Sequence, residues 1–160
     1  MALVSTLALL RQATRDGYAI GAFNFENMEM AQAIVAAAEE TGVPVIMQTT
    51  PGTVRYASVS LFSAMVRSLA EKSSARIALH LDHGESPDMV RDAAAAGYNS
   101  VMIDGSKLPF EENAALTRSV KRMVSGLPVE GELGTVGGKE DDMAAAHGSY
   151  TCLLYTSRCV

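Results

Sequence analysis

The feature that most constrains this chain is a rhythm: a short β-branched or apolar run, then a helical pattern, then a Gly or Pro stop, repeated along its length. Tyr18 to Phe25 reads as a strand. Asn27 caps a helix whose apolar face is Met28, Ala31, Ile34, Val35 and Ala38 at helical spacing. Thr41-Gly42 ends that helix and Val43-Pro44 forbids its continuation. Val45 to Gln48 is the next strand, and a turn at Thr50-Pro51-Gly52 leads to a helix carrying Leu61, Met65 and Leu69. Arg76 to Asp82 is a third strand. Ser86-Pro87 supplies an N-cap and a first-position proline, Gly97 closes that helix, and Ser100 to Ile103 is a fourth strand. Pro109 opens a helix with Glu111 and Glu112 in its first turn and Lys121 and Arg122 near its end, the charge order that complements a helix dipole. Val129 to Leu133 is a fifth strand, and the glycine-rich stretch after it reads as a loop.

Five strands alternating with four helices imply an α/β fold of parallel strands joined by right-handed crossovers. Two architectures satisfy this: a doubly wound sheet and an incomplete (β/α)8 barrel. A closed barrel takes about 250 residues, more than the 160 here. Periodicity does not choose between the two.

Bulk properties exclude several function classes. With 48% hydrophobic and 19% charged residues the chain is globular rather than disordered. A net charge of −5 without a basic stripe argues against nucleic-acid binding. The first ten residues lack a basic leader and a sustained apolar stretch, and Arg11 and Gln12 follow too early for a signal peptide or membrane span. Both cysteines, Cys152 and Cys159, fall in the last nine residues, so a disulfide scaffold is not expected and a reducing cytoplasm is the expected compartment.

The strongest chemical signal is His80-Leu81-Asp82-His83-Gly84 at the end of the third strand, because ligands of parallel α/β folds sit beyond the carboxyl ends of the strands. A neutral imidazole ligates zinc well, and a nearby carboxylate can act as acid or base once its pKa is tuned. Alternation places His80 and Asp82 on one face; His83 joins them if the strand ends near Asp82. The same residues also fit a pair of strand-end histidines bonded to backbone groups. A second signal is the stretch Glu130-Gly131-Glu132-Leu133-Gly134-Thr135-Val136-Gly137-Gly138-Lys139-Glu140-Asp141-Asp142. Three glycines in five positions (134, 137 and 138) suit a mobile base that swings over a substrate, or simply a solvated acidic loop. Asn24, Gln48 and Asp104 stand at or just past the ends of the first, second and fourth strands, where a barrel site would need polar groups. Lys107, beyond a strand and before Pro109, reads as an exposed loop lysine rather than a Schiff-base nucleophile. His147 has no partner at ligand spacing and reads as a surface residue, and Met28, Met30 and Met65 read as packing residues.

Together these residues resemble the class II fructose-bisphosphate and tagatose-bisphosphate aldolases, the tagatose-type branch most of all. The resemblance runs from about Val4 to Tyr150 and rests on Gly21-Ala22-Phe23-Asn24, Val45-Ile46-Met47-Gln48, His80-Leu81-Asp82-His83-Gly84, Val101-Met102-Ile103-Asp104 and Glu132-Leu133-Gly134 through Glu140-Asp141. It implies the (β/α)8 barrel, here incomplete. It implies a lyase that cleaves a ketose 1,6-bisphosphate into dihydroxyacetone phosphate and glyceraldehyde 3-phosphate. His83 would be a ligand of one catalytic zinc, a Lewis acid on the carbonyl of the dihydroxyacetone-phosphate unit. Asp82 would exchange a proton with the other half, work that at neutral pH needs a raised pKa or help from substrate. Glu140 would move the proton on the ketone fragment. Asn24 and Gln48 would contact substrate, and Asp104 and Glu132 match carboxylates that hold a second divalent metal in some members. Full-length members are homo-oligomeric, and neither nucleic acid nor membrane is an expected partner.

The departures from the family pattern carry equal weight. Its other two zinc histidines and its later phosphate-binding loops lie on strands this sequence does not contain, and His147 matches neither histidine. Residues 1–151 read as the N-terminal part of such a barrel, and 152–160 as a non-family tail from a truncated or chimeric reading frame. The sequence therefore predicts little or no activity from these 160 residues alone. A non-catalytic barrel fragment or companion subunit is the alternative reading.

Overall fold

The computed structural model describes residues 3–134, together with the backbone of residues 138–140 and 143–145. Helices begin where the sequence supplies a side-chain oxygen for an otherwise unpaired backbone N–H. Ser5 opens α1 (Thr6–Asp16), Asn27 opens α2 (Met28–Thr41), Thr50 opens α3 (Pro51–Ala57), Ser58 opens α4 (Val59–Lys72) and Ser86 opens α5 (Pro87–Ala96). The last helix among the described residues, α6 (Phe110–Met123), starts after Pro109 without a side-chain cap and carries the expected charge order. Gly42 ends α2 at φ 69°, a conformation that costs other L-residues more.

Between the helices run β1 (Gly21–Asn24), β2 (Val45–Thr49), β3 (Ile77–Gly84), β4 (Ser100–Ile103) and β5 (Val129–Gly131). They form one sheet in the order β1-β2-β3-β4-β5, each pair parallel. This order separates the two architectures. A doubly wound sheet reverses direction at a switch point, whereas here every crossover steps the same way. Crossovers of one hand stepping one way leave their helices on one face, which is the arc of a barrel.

Packing follows the strand period of two. Val45, Met47, Ile77, Leu79, Leu81, Val101 and Ile103 point to the helices and join Phe25, Phe62, Val66, Val90 and Val120 in one buried core. The alternate positions face the barrel side. There Ile46 and Ala78 meet Leu9 of α1, with Val4 and Ile20 packed against them. This helix, which the strand–helix rhythm does not reveal, closes the amino-terminal end of the inner face. Polar residues occupy that face nearer the carboxyl ends of the strands.

Several sequence expectations shift by a residue or a row. The stripe Leu61, Met65, Leu69 is not the buried row of α4: Leu61 is exposed, while Val59, Phe62, Val66 and Ala70 are buried. The two rows are neighbours on the helix, and the aromatic ring of Phe62, which packs edge-on against Phe25 at 5.4 Å, takes the interior. Met28 and Met30 are exposed rather than core residues, lying in the first turn of α2, whereas Met65 packs against the core. The Thr50-Pro51-Gly52 turn is itself the start of α3. The glycine-rich stretch read as a loop contains two three-residue strands, β6 (Gly138–Glu140) and β7 (Met143–Ala145), paired antiparallel and too short to leave a hydropathy period. The side chain of Glu140, the residue His147 and the tail at 152–160 lie outside the described residues.

The third strand departs most usefully from expectation. It does not end at Asp82 but runs on to Gly84 through a bulge: Leu81 pairs with Val101 and Gly84 with Ile103, three steps on β3 against two on β4. His83 sits in the bulge at φ 112°, a conformation that costs a non-glycine residue about 1–3 kcal/mol. Gly84 then passes so close to β4 that a Cβ there would meet the Met102 carbonyl oxygen at 2.5 Å and Val90 Cγ2 at 2.9 Å. Backbone on a neighbouring strand cannot swing aside. Gly84→Ala is therefore expected to destabilise the chain by about 1–3 kcal/mol, the usual cost of overpacking. A urea denaturation midpoint equal to that of the parent would contradict this account of the bulge.

Candidate functional site

Successive strands of the arc deliver polar groups to the same end. Gln48 comes from β2, Asp82 and His83 from the end of β3, Asp104 from just after β4, and Glu132 from just after β5. The bulge is what lets Asp82 and His83 lie side by side, since strict alternation would send them to opposite faces.

The Gln48 amide donates to Asp82 Oδ2 at 2.5 Å and fixes one carboxylate oxygen. Asp82 Oδ1 faces His83 Nε2 at 3.6 Å and His80 Nε2 at 4.0 Å. On the other side of the His83 ring, Nδ1 lies 3.4 Å from Asp104 Oδ2 and 3.3 Å from Glu132 Oε2. Neighbours hold the Asp104 carboxylate and the Glu132 main chain. The Ser106 backbone N–H donates to Asp104 Oδ1 at 2.9 Å, and buried Asn113 of α6 donates from Nδ2 to the Glu132 carbonyl at 2.6 Å.

His83, Asp104 and Glu132 offer ligand atoms that all lie within 4.8 Å of one another. One imidazole nitrogen and two carboxylate oxygens suit a divalent cation of the zinc or manganese kind. Bonds of about 2.0–2.2 Å in tetrahedral geometry put neighbouring ligand atoms roughly 3.3–3.6 Å apart, close to the 3.3 and 3.4 Å separations around His83 Nδ1. The residues present fit the ion.

Electrostatics divide the two histidines. A hydrogen bond with Asp104 raises His83 to about 9, against the opposing effect of burial, and the charges of Asp82, Glu132 and Asp104 add to the rise. His80 is pushed down to about 4, chiefly by burial and then by the charge of His83, with a hydrogen bond to the Ser100 backbone acting the other way. Asp104 is held well below the usual carboxylate range by its bond to His83, with the Ser106 bonds helping against burial. Glu130, on β5, is raised by burial and by Asp82, and its Oε2 lies 3.5 Å from His80 Nε2.

Of the residues singled out in the sequence, the structure gathers Gln48, Asp82, His83, Asp104 and Glu132. Asn24 ends β1 in register with Gln48 and is exposed. Lys107 is exposed in the turn between β4 and α6, as expected of a loop lysine. Glu130 and Asn113 were not singled out as site residues. For Glu130 the signal was available, because alternation through Val129-Glu130-Gly131 turns it inward; for Asn113, a lone amide in a helix, none was.

The chain matches a known family. Residues 4–158 match the family described as "Fructose-bisphosphate aldolase class-II". A fructose-bisphosphate aldolase of Treponema pallidum (strain Nichols) is 43% identical over 160 residues, covering 94% of this chain and 48% of that protein. A probable fructose-bisphosphate aldolase of Bacillus subtilis (strain 168) is 47% identical over 150 residues, covering 91% and 53% respectively. The crystal structure of the YdjI aldolase from Escherichia coli superposes with a TM-score of 0.78 at 38% identity, over 87% of this chain and 54% of that one. The chain thus spans about half the length of the relatives it matches.

The His83–Asp104 pair predicts a pH dependence for the metal-free chain. A histidine whose folded pKa is raised contributes stability that is fully present below its unfolded value of 6.5 and is lost as pH rises through about 9. The urea midpoint should therefore fall between pH 6.5 and 9. In Asp104→Asn that slope should flatten, and the His83 titration followed by NMR should move down towards 6.5. A His83 titration unchanged by Asp104→Asn would overturn the assignment of Asp104 as its main partner.

Proposed function

Because the chain belongs to the class II fructose-bisphosphate aldolase family, we propose that it carries the acid–base group and the first metal ligand of a lyase. The reaction is reversible cleavage of a ketose 1,6-bisphosphate, with fructose or tagatose stereochemistry, into dihydroxyacetone phosphate and glyceraldehyde 3-phosphate. The observation that carries the reading is the meeting of Asp82, His83, Asp104 and Glu132 at the carboxyl ends of adjacent strands, with Asp82 fixed by Gln48.

Family membership implies a divalent metal, and zinc is the ion proposed. His83 would be its ligand here, with Asp104 and Glu132 as carboxylates able to hold it or a second divalent ion. When bound, the ion supplies Lewis-acid polarisation of a ketone carbonyl. Metal uptake at His83 displaces a proton, because the imidazole must be neutral to ligate.

Asp82 is the proposed acid–base group. In cleavage it accepts the hydroxyl proton from the half that leaves as aldehyde; the C–O bond becomes C=O and the carbon–carbon bond breaks. The released electron pair stays on the ketone half, and Glu140 is proposed to return a proton to that carbon. In condensation the steps reverse, and Asp82 donates. The Gln48 amide fixes Oδ2, so Oδ1 is the oxygen turned towards His83 and the reacting region. Asn24, one strand over from Gln48, is a proposed substrate contact at the same level of the sheet. A cytoplasmic location and a homo-oligomeric complete protein belong to the same proposal.

A non-catalytic companion subunit is the other reading, and it draws on a single observation: one histidine and two carboxylates make a weaker zinc site than three histidines. Experiments on the complete protein and on this chain separate the readings. In the complete protein that contains these residues, a chelator should abolish ketose-bisphosphate cleavage while borohydride traps no adduct. There, Asp82→Ala should lower kcat about 10²–10⁴-fold, the range for loss of a general acid–base group. The purified 160-residue chain should show little or no cleavage with zinc added. Full activity after chelation, or a near-normal kcat in Asp82→Ala, would remove the proposed roles.

A further inference from the structure

Beneath the carboxylate cluster runs a buried polar chain that the proposed reaction does not use. Thr6, Ser100 and His80 are 3%, 2% and 6% exposed. They come from α1, β4 and β3, on the inner face of the arc. Ser100 Oγ donates to Thr6 Oγ1 at 3.1 Å, and His80 Nδ1 lies 2.8 Å from Ser100 Oγ.

Counting protons assigns the direction of the second bond. A serine hydroxyl has one proton to donate and two lone pairs to accept with. Ser100 commits its proton to Thr6, so towards His80 it can only accept. The hydrogen must come from Nδ1. Burial keeps the ring neutral at pH 7. A neutral ring with hydrogen on Nδ1 has a bare lone pair on Nε2.

That lone pair points towards the site. Nε2 is 3.5 Å from Glu130 Oε2 and 4.0 Å from Asp82 Oδ1, approaches too long to count as strong hydrogen bonds. Gln48, His80, Ser100, Thr6 and Glu130 line a cavity of about 360 Å³ at this point. In the opposite tautomer Nε2–H would instead turn a donor towards Glu130 Oε2 at 3.5 Å.

We infer that Thr6 and Ser100 are positioning residues that lock His80 in its Nδ1–H tautomer, so that the floor of the site presents Nε2 as a hydrogen-bond acceptor beside Asp82 and Glu130. The group such an acceptor takes is an O–H or N–H donor. A sugar hydroxyl is the one that matters if the lyase reading above holds, and to that extent the inference rests on it. The tautomer itself does not, and can be measured in the metal-free chain.

The chain has three histidines, so nitrogen-15 NMR of the imidazole rings, assigned with His80→Gln and His83→Gln, reads each one separately. At pH 7 His80 should show a protonated, pyrrole-type Nδ1 and an unprotonated, pyridine-type Nε2. In Ser100→Ala the lock is gone, and the Nε2–H form should appear as a shift of both ring nitrogens towards each other. Thr6→Val, which frees the serine proton to point at His80, should move them the same way. Thr6→Ser keeps the acceptor and should leave the parent spectrum. Far-UV circular dichroism checks that each variant is folded. Finding Nε2–H, or a doubly protonated ring, on His80 in the parent at pH 7 overturns the inference without any variant. So does a parent-like His80 spectrum in folded Ser100→Ala and Thr6→Val. Loss of the lyase reading with this spectrum intact would leave the lock standing as a property of the fold.

Discussion

Alternation along a β-strand sends neighbouring side chains to opposite faces, so bringing Asp82 and His83 together has to break the pleat. The bulge on β3 does this by inserting one residue against β4. What surrounds it follows from that insertion. His83 takes up a left-handed backbone, Gly84 slides against the Met102 carbonyl where no Cβ fits, and Val90 of α5 closes over the gap. The sheet before the bulge is regular and pairs residue for residue with β2. The strain is confined to the last turn of pleat, at the end where the strands present their polar groups.

Two histidines three positions apart illustrate how placement rather than residue type sets chemistry. His83 stands among three carboxylates and is pushed up to about 9, so without a metal its own positive charge balances the cluster. His80 lies deeper, away from that balance, and is pushed down to about 4. A proton on one discourages a proton on the other, and burial decides which keeps it. The carboxylates respond in kind: Asp104, bonded to the charged ring, is held low, while Glu130, partly desolvated near Asp82, is raised.

Much of this was legible in the sequence, and the limits have physical causes. Strand–helix alternation and the cap residues Asn27, Ser86 and Gly97 located most elements, because capping is local chemistry. The choice between barrel and doubly wound sheet was not legible from periodicity, because it depends on which strands become neighbours. The strand order supplies it. His80, Asp82 and His83 announced themselves by density, but the device that unites Asp82 with His83 did not: a bulge depends on the register of two strands and leaves no mark in one. Row choice in α4 failed for a similar reason, since Leu61 and Phe62 are equally apolar on paper and only the partner ring of Phe25 separates them. The N-terminal helix carries its own cap at Ser5 and stop at Gly17, but it precedes the strand–helix rhythm and buries its leucine against the inside of the sheet rather than in the main core.

That helix carries a consequence for how the molecule is made. Thr6 and Ser100 are 94 residues apart in sequence yet bonded in the fold, and Leu9 waits on Ile46 and Ala78 for its burial. At translation rates of roughly 5–20 residues per second, Ser100 leaves the ribosome roughly 5–20 s after Thr6. A helix synthesised ahead of the sheet is thus among the last elements to find its seat. For those seconds its apolar side has no home, and the inner face it will cover stays open until the fourth strand has been laid down.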